Sequence, residues 1–321
     1  MGVLGIDVSK ATLDVVWMAA QRQTHYCQVD NAASGYATLK RWLGKRPVEA
    51  VCLEATGRYR EGVAEYLHAA GYRVSVVNPA RIRGYANSQL RRNKTDKLDA
   101  SLIADFCRTQ HPEAWTPAPP EVRQLQALVR HLSTLEEAKQ QADNRLREAA
   151  ALPDLVVKQL KSQRDLLLAQ IDQLKAAIQD HIDHCPDLRR QRDLMASIPG
   201  IGKLTAAKLL ADCRCVSRFD DGHQRVAFAG LNPAHQQSGS SIRKKTTISK
   251  TGNSAMRAAL YMPAVSAKRH NPLLKAFAQH LLDKGLCQMQ VITALMRKLL
   301  HLIFGILKSG LPFDPNFHLA A

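Results

Sequence analysis

Val3-Leu4-Gly5-Ile6-Asp7-Val8-Ser9-Lys10 opens the chain as a short apolar run with an acid near its tip. An apolar run of this length, stopped by Ser-Lys, reads as a buried strand. Working outward, a second strand-like run at 12–18 follows after almost no linker and a third is read at 24–29, which predicts an antiparallel meander. An amphipathic helix fits 35–43. The run 49–54 is apolar again and again ends in a carboxylate, Glu54; Ala55-Thr56-Gly57-Arg58-Tyr59 and a helix follow it. Residues 73–77 make one more strand, and Asn78-Pro79 breaks it.

Arg91-Arg92-Asn93-Lys94-Thr95-Asp96-Lys97-Leu98-Asp99 then reads as a basic loop feeding a helix. Thr95 is the N-cap, and Leu98, Leu102, Ile103 and Phe106 recur at helical spacing, so they are expected to face a core. Asp96 and Asp99, three apart, share one exposed face. Two carboxylates so close repel each other in water and become favourable when a hard cation such as Mg2+ sits between them. Arg91, Arg92 and Lys94 would hold a polyanion against that metal. Taken alone, the stretch is equally a solvated first turn whose acids complement the helix dipole.

The order of elements changes that balance. If the strands ending in Asp7 and Glu54 pair in parallel through a right-handed crossover, their acids become neighbours, and Asp96 and Asp99 are brought over them. Four carboxylates around one pocket repel one another without about two divalent ions, and such a pair of ions clamps the attacking and leaving oxygens of phosphoryl transfer. Any one of the four is adequately explained as a strand-end cap or an ion-pair partner. The four together are not.

Charge points to the partner. The 321 residues carry a formal net charge of +17 and a pI near 9.8, with clusters at Arg81 and Arg83, 91–94, 189–192 and 243–245. That favours nucleic acid over small neutral metabolites. Seven cysteines, odd in number and without a Cys-x-x-Cys pair, indicate a reducing cytoplasm and no zinc ribbon. His181, His184 and Cys185 meet at helical spacing, but no second ligand pair accompanies them, so they read as a helix-end coincidence. The chain opens on strand-like sequence, so no signal peptide is expected. The apolar stretch 291–307 is broken by Arg297, Lys298 and His301, which makes it a core or interface helix and not a membrane span.

After Trp115, Pro117, Pro119 and Pro120 end the first domain as a semi-rigid linker. Leu125, Leu128, Leu132 and Leu135, then Leu167, Ile171, Leu174 and Ile178, step at seam spacing on either side of Pro153. They predict a long helical hairpin, closed on itself or paired with a second copy. Domain bounds are therefore 1–116, 117–187 and 188–321, an α/β domain followed by all-α regions. In the last, Ser197-Ile198-Pro199-Gly200-Ile201-Gly202-Lys203 resembles a helix-hairpin-helix turn, where Gly200 and Gly202 let backbone N–H groups reach a phosphate beside Lys203. Ser238-Gly239-Ser240-Ser241-Ile242-Arg243-Lys244-Lys245 is by composition a flexible basic loop that lets a phosphate approach a hydroxyl. Serine is weakly nucleophilic, and no activating His and acid are evident nearby.

Gly5-Ile6-Asp7-Val8-Ser9-Lys10, Glu54-Ala55-Thr56-Gly57, and Asn93-Lys94-Thr95-Asp96 with Asp99 resemble the RuvC-like domain of the DEDD transposases of bacterial insertion sequences, the insertion-sequence 110 group that includes the pilin-gene invertases. The resemblance extends over nearly the whole chain. It implies an N-terminal RuvC/RNase H-like mixed sheet, a metal-holding tetrad of Asp7, Glu54, Asp96 and Asp99 with Mg2+ or alternatively Mn2+, and a coiled-coil hairpin used for assembly into a dimer or tetramer. It also implies that Ser238 is the nucleophile of a phosphoserine intermediate. Lys10, Arg91, Arg92, Lys94, Gly200, Gly202, Lys203, Arg243, Lys244, Lys245, Lys250 and Asn253 would then hold nucleic acid, with Arg257 one turn into the helix beyond. Asn232 stands where threonine is commoner. The expected function is cutting and rejoining of DNA at element ends and target in the cytoplasm, guided by a structured RNA, with no membrane involved. Tetrad and serine lie in different domains, so the pocket assembles by folding back or, as favoured, in trans.

Two rival classes remain. A junction-resolvase-like nuclease would use the same tetrad with water and leave Ser238 expendable. A sugar-kinase or actin-like phosphotransferase also opens with Gly-Ile-Asp and a meander, but its substrates do not call for +17. A non-catalytic scaffold fits least, because an unmetallated carboxylate cluster opposes polyanion binding.

Overall fold

The computed structural model describes residues 1–55, 57, 59–90, 95–149, 152–212, 222–234, 237–238, 242–243 and 247–315. The chain divides into two compact units, Met1–Pro117 and Ala118–Ala321.

The first unit is a three-layer α/β domain. Its strands are β1 (Gly2–Val8), β2 (Thr12–Ala19), β3 (Thr24–Asp30), β4 (Val48–Glu54) and β5 (Val74–Val77), in the spatial order β3-β2-β1-β4-β5. β1, β2 and β3 form the antiparallel meander, while β1, β4 and β5 run parallel, with α1 (Ala33–Leu43) and α2 (Glu61–Ala69) in the connections. This is the mixed sheet of an α/β RuvC-like domain. Because side chains alternate along a strand, the sheet feeds two cores. Leu4, Ile6, Leu13 and Val15 pack with Leu39 and Leu43 of α1 and Val63 and Leu67 of α2. Val3, Val16, Ala50 and Cys52 pack on the opposite face with α3 (Pro79–Ser88) and α4 (Asp96–Gln110).

α3 differs from the sequence reading. Asn78-Pro79 ends β5 as expected but also starts a helix: the Asn78 side chain accepts from the Ala80 N–H at 2.8 Å, and Pro79, which has no N–H to lose, takes the first helical position. Leu98 differs too. It is 39% exposed, while Leu102, Ile103 and Phe106 are buried, so the core-facing stripe of α4 begins one turn later than the spacing implied.

One glycine sets how the layers meet. A methyl group on Gly5 would overlap the backbone of Ala100 and Ala104, so α4 lies directly on β1 at a point where only hydrogen fits.

In the second unit, α5 (Pro120–Arg147) and α6 (Asp154–Asp183) are long helices in mutual contact. Leu125, Leu132, Ile171 and Ile178 are buried, and Leu128, Leu135 and Leu174 pack beside them. Their core is continuous with that of α7 (Pro186–Ala196), α8 (Lys203–Asp212), α9 (Gly222–Ala229), α10 (Ser254–His270), α11 (Pro272–Asp283) and α12 (Gln288–Ser309). Buried Arg192 joins α7 to α6 through Asp183 at 2.5 Å and also meets Asp193. α12 is long and apolar enough by composition to cross a membrane, yet its stripe of Val291, Leu295, Leu299, Leu300 and Ile303 is packed inside this core. Between α9 and α10 lie two short pairings, β6 (Pro233–Ala234) with β9 (Thr247–Ile248) and β7 (Gln237–Ser238) with β8 (Ile242–Arg243).

Candidate active site

Asp7 and Glu54 reach the same end of the sheet. Ile6 pairs with Leu53 in the parallel β1–β4 ladder, so the next residues out, Asp7 and Glu54, leave it side by side at the carboxyl ends of their strands. That end is where open α/β sheets place their ligands. Both continue the alternation of Val3, Gly5 and of Ala50, Cys52, so they belong to the α4 face. α4 begins above them. Thr95 caps it, accepting from the Leu98 N–H at 3.3 Å, and Asp96 and Asp99 occupy the first turn, where acids also complement the helix dipole.

The four acids feel one another. Burial, and then the charges of Asp99, Glu54 and Asp96, push the Asp7 carboxyl up from 3.8 to about 6. Such a cluster of hard oxygen donors, short of positive charge at Asp7, fits divalent-cation chemistry. Among the described residues, no three His, Cys, Asp or Glu side chains stand close enough to ligate one ion as placed. The fit is therefore one of charge and donor type, and the carboxylates would have to turn inward to share an ion.

Other residues fall as follows. Lys10 is exposed in the β1–β2 turn. Arg91, Arg92, Lys94, Lys244 and Lys245 lie outside the described residues. Gly200 has φ +106 and packs against the Ala267 backbone of α10, so its small size serves the interior, while Gly202 and Lys203 are exposed at the start of α8. Ser238 pairs with Ile242, and Gln237 with Arg243, where β7 runs antiparallel to β8. The strands bounding that segment are firmly joined. Ser249 Oγ donates to Asn232 Oδ1 at 2.6 Å, the Ser249 N–H donates to the Asn232 carbonyl at 2.9 Å, and Arg257 Nη1 donates to the Ala229 carbonyl at 2.8 Å. Lys250 is exposed, has φ +55, and donates its N–H to Gly230. Asn253 is engaged within the protein at both ends of its side chain: it caps α10 by accepting from Met256 at 3.1 Å and bonds Asp212, whose carboxyl burial pushes up. His181 and His184 are taken up by the Glu121 and Asp180 carbonyls, each at 2.8 Å.

The sequence reading passed over one buried acid. Asp14 of β2 is the register partner of Asp7 and points to the same face. Its charge within Leu13-Asp14-Val15-Val16, in a strand otherwise apolar, was the available signal.

The fold and site define a class: an α/β RuvC-like domain with clustered carboxylates at the strand ends, followed by a helical unit. Two family models match the chain, one described as a DEDD-type IS110 transposase over residues 4–152 and one described as "Transposase IS116/IS110/IS902 family" over residues 192–279. The pilin gene-inverting protein of Moraxella bovis is 34% identical over 321 residues, 98% of each chain, and that of Moraxella lacunata is 33% identical over the same share. A Thermus thermophilus RuvC in complex with a Holliday junction substrate is similar over 36% of this chain and 100% of its own, at 16% identity and a TM-score of 0.28; the fold assignment rests on strand order instead. The chain belongs to the IS110 family of transposases and recombinases.

Proposed function

We propose that this protein cuts and rejoins DNA through a covalent link between Ser238 and a DNA phosphate, with Asp7, Glu54, Asp96 and Asp99 as the metal-holding set. The observation that carries the reading is the coupling of Asp7 to the other three acids at the carboxyl end of the central strands, which makes the cluster unfavourable without a cation and favourable with one. Attack by the Ser238 hydroxyl oxygen forms a P–O bond as the bond from phosphorus to the leaving DNA oxygen breaks. The serine proton leaves and the DNA hydroxyl gains one, so a reverse attack restores both. Mg2+ or Mn2+, when bound, supplies the charge that eases departure of that oxygen. Relatives named for inverting a pilin gene support a rearrangement of DNA, in which strands must be resealed and not only cut.

Lys10, Lys203, Lys250 and the basic residues 91–94 and 243–245 neutralise DNA phosphates in this reading, and the turn at 197–203 acts as a helix-hairpin-helix contact. The α5–α6 pair serves as a coiled-coil assembly element within three functional parts, 1–116, 117–187 and 188–321. A structured RNA supplies sequence choice by pairing, the active site forms in trans, and the reaction runs in the cytoplasm. The test is denaturing electrophoresis of protein incubated with element-end DNA, co-purified host RNA and Mg2+. Wild-type protein yields a covalent adduct and Ser238→Ala yields none while still binding DNA. An adduct of wild-type yield in Ser238→Ala overturns the nucleophile; cleavage without any adduct makes the protein a hydrolytic nuclease.

A further inference from the structure

Beside the acids, the first unit contains a cavity of about 750 Å3 between the β2–β3 turn, α3 and the start of α4. Its volume falls within the roughly 300–1,000 Å3 of small-molecule sites. Glu54 and Asp99 form part of its wall, so it opens directly onto two of the four acids. Met18, Ile82 and Leu98 give it an apolar side, and Arg22 and Arg83 bring two exposed cations. The third carboxylate on the wall, Asp105, is already neutralised by Arg108 at 2.7 Å and by the Tyr85 hydroxyl at 2.7 Å.

The arginines are placed by the fold. Arg81 stacks on the Phe106 ring of α4 at 5.4 Å, while Arg83, two residues on, lines the cavity. Arg22 sits in the tight β2–β3 turn at φ +63, where its N–H donates to the Ala19 carbonyl at 3.0 Å. Glycine or asparagine relieves that left-handed conformation, so an arginine there stores strain that its side chain must justify.

We propose that this cavity holds an unpaired nucleotide of the DNA strand next to the phosphate at the acids, its base against Met18, Ile82 and Leu98 and its phosphate between Arg22 and Arg83. The assignment rests on the acid cluster being the DNA-cutting centre. A nucleotide stacked inside a duplex has the faces of its base covered by its neighbours and presents only edges in the grooves, whereas the cavity combines an apolar wall with cations, which matches the exposed face of a base withdrawn from its stack. Arg83 belongs to one of the basic clusters that favour nucleic acid, and Arg22, outside all of them in sequence, is brought to the same cavity by the fold.

The test uses the full chain, Mg2+ and a short oligothymidylate carrying one thiothymidine, cross-linked with long-wave ultraviolet light. Cross-links are expected on the peptides around Met18, Ile82 and Leu98. Arg83→Glu should lower their yield and single-strand affinity at least about tenfold, as loss and reversal of one charge-assisted contact implies. Arg22→Gly should lower both severalfold while circular dichroism and melting stay native. Cross-links mapping elsewhere, or unchanged in both natively folded variants, overturn the proposal. Asp99→Asn separates the two readings: if it cleaves like wild type while cross-links still map here, the catalytic reading falls and the nucleotide site stands.

Discussion

Asp14 and Asp7 face each other as register partners across the β1–β2 ladder, and a line of contacts runs from Asp14 to the helix that carries Asp96. Asp14 is 3% exposed; its Oδ1 accepts the Tyr26 hydroxyl at 2.6 Å and the Gln28 amide at 3.3 Å. That bond, with burial, pushes the Tyr26 hydroxyl up to about 12. Lys97, next to Asp96, places its ammonium 5.2 Å from the Tyr26 ring centre. Tyr26→Phe keeps the ring but leaves a buried acceptor short of a donor. It should cost about 1–3 kcal/mol in urea denaturation and speed amide exchange in the first turn of α4. Unchanged stability and exchange would show that the line carries nothing.

Asp7 gives a pH and metal dependence whose sign is fixed. Its folded pKa, about 6, lies above the unfolded 3.8, so the folded state binds more protons through that window and loses stability as pH rises across it. About two units correspond to roughly 3 kcal/mol, and solvent screening at a half-buried carboxyl reduces this to about 1–2 kcal/mol. Asp7→Asn should therefore melt higher than wild type at neutral pH in chelator and gain less from added Mg2+. Equal Mg2+ stabilisation of both proteins would remove Asp7 from the metal set.

Gly5→Ala tests the contact between α4 and β1. Overlap with the backbone at Ala100 and Ala104 cannot be relieved by a rotamer change, so the helix must move. A loss of about 2–4 kcal/mol is expected, with cleavage falling more steeply than DNA binding. Wild-type stability on calorimetry would contradict the packing.

The Ser249–Asn232 bond predicts a positioning effect. Ser249→Ala removes the donor to Asn232 and loosens the β6–β9 base of the Ser238 segment. Adduct formation should slow about tenfold in single-turnover kinetics with DNA affinity unchanged. Asn232→Thr, which retains a side-chain oxygen, should lose less than Asn232→Val. Equal rates in all three would detach the base from the chemistry.

Much of the first unit was legible because its signals are local and periodic. Apolar runs at 3–8 and 49–54 end in acids, and Thr95 followed by Asp96 and Asp99 marks a helix start. α3 was not legible, because Asn78-Pro79 is equally a stop and a capped beginning and only the following packing of Ile82 decides. Asp14 was missed because its significance lies in register, a property of two strands together. The role proposed for Ser238 rests on family resemblance alone, since composition there says only small and basic. Asn253 shows the reverse: a polar residue beside the serine segment is occupied by capping and by Asp212, contacts that sequence spacing cannot display.

The bare α-carbon at position 5 reaches further than the packing it permits. Asp96 and Asp99 ride on a helix seated against the very strand that carries Asp7, with Ala100 touching down one residue after Asp99. The gap between the acids of that helix and the acid of that strand, which a shared cation would bridge under the proposed function, is thus gauged by main chain meeting main chain. Substitution can repaint the outer side of that helix freely without resetting the gauge.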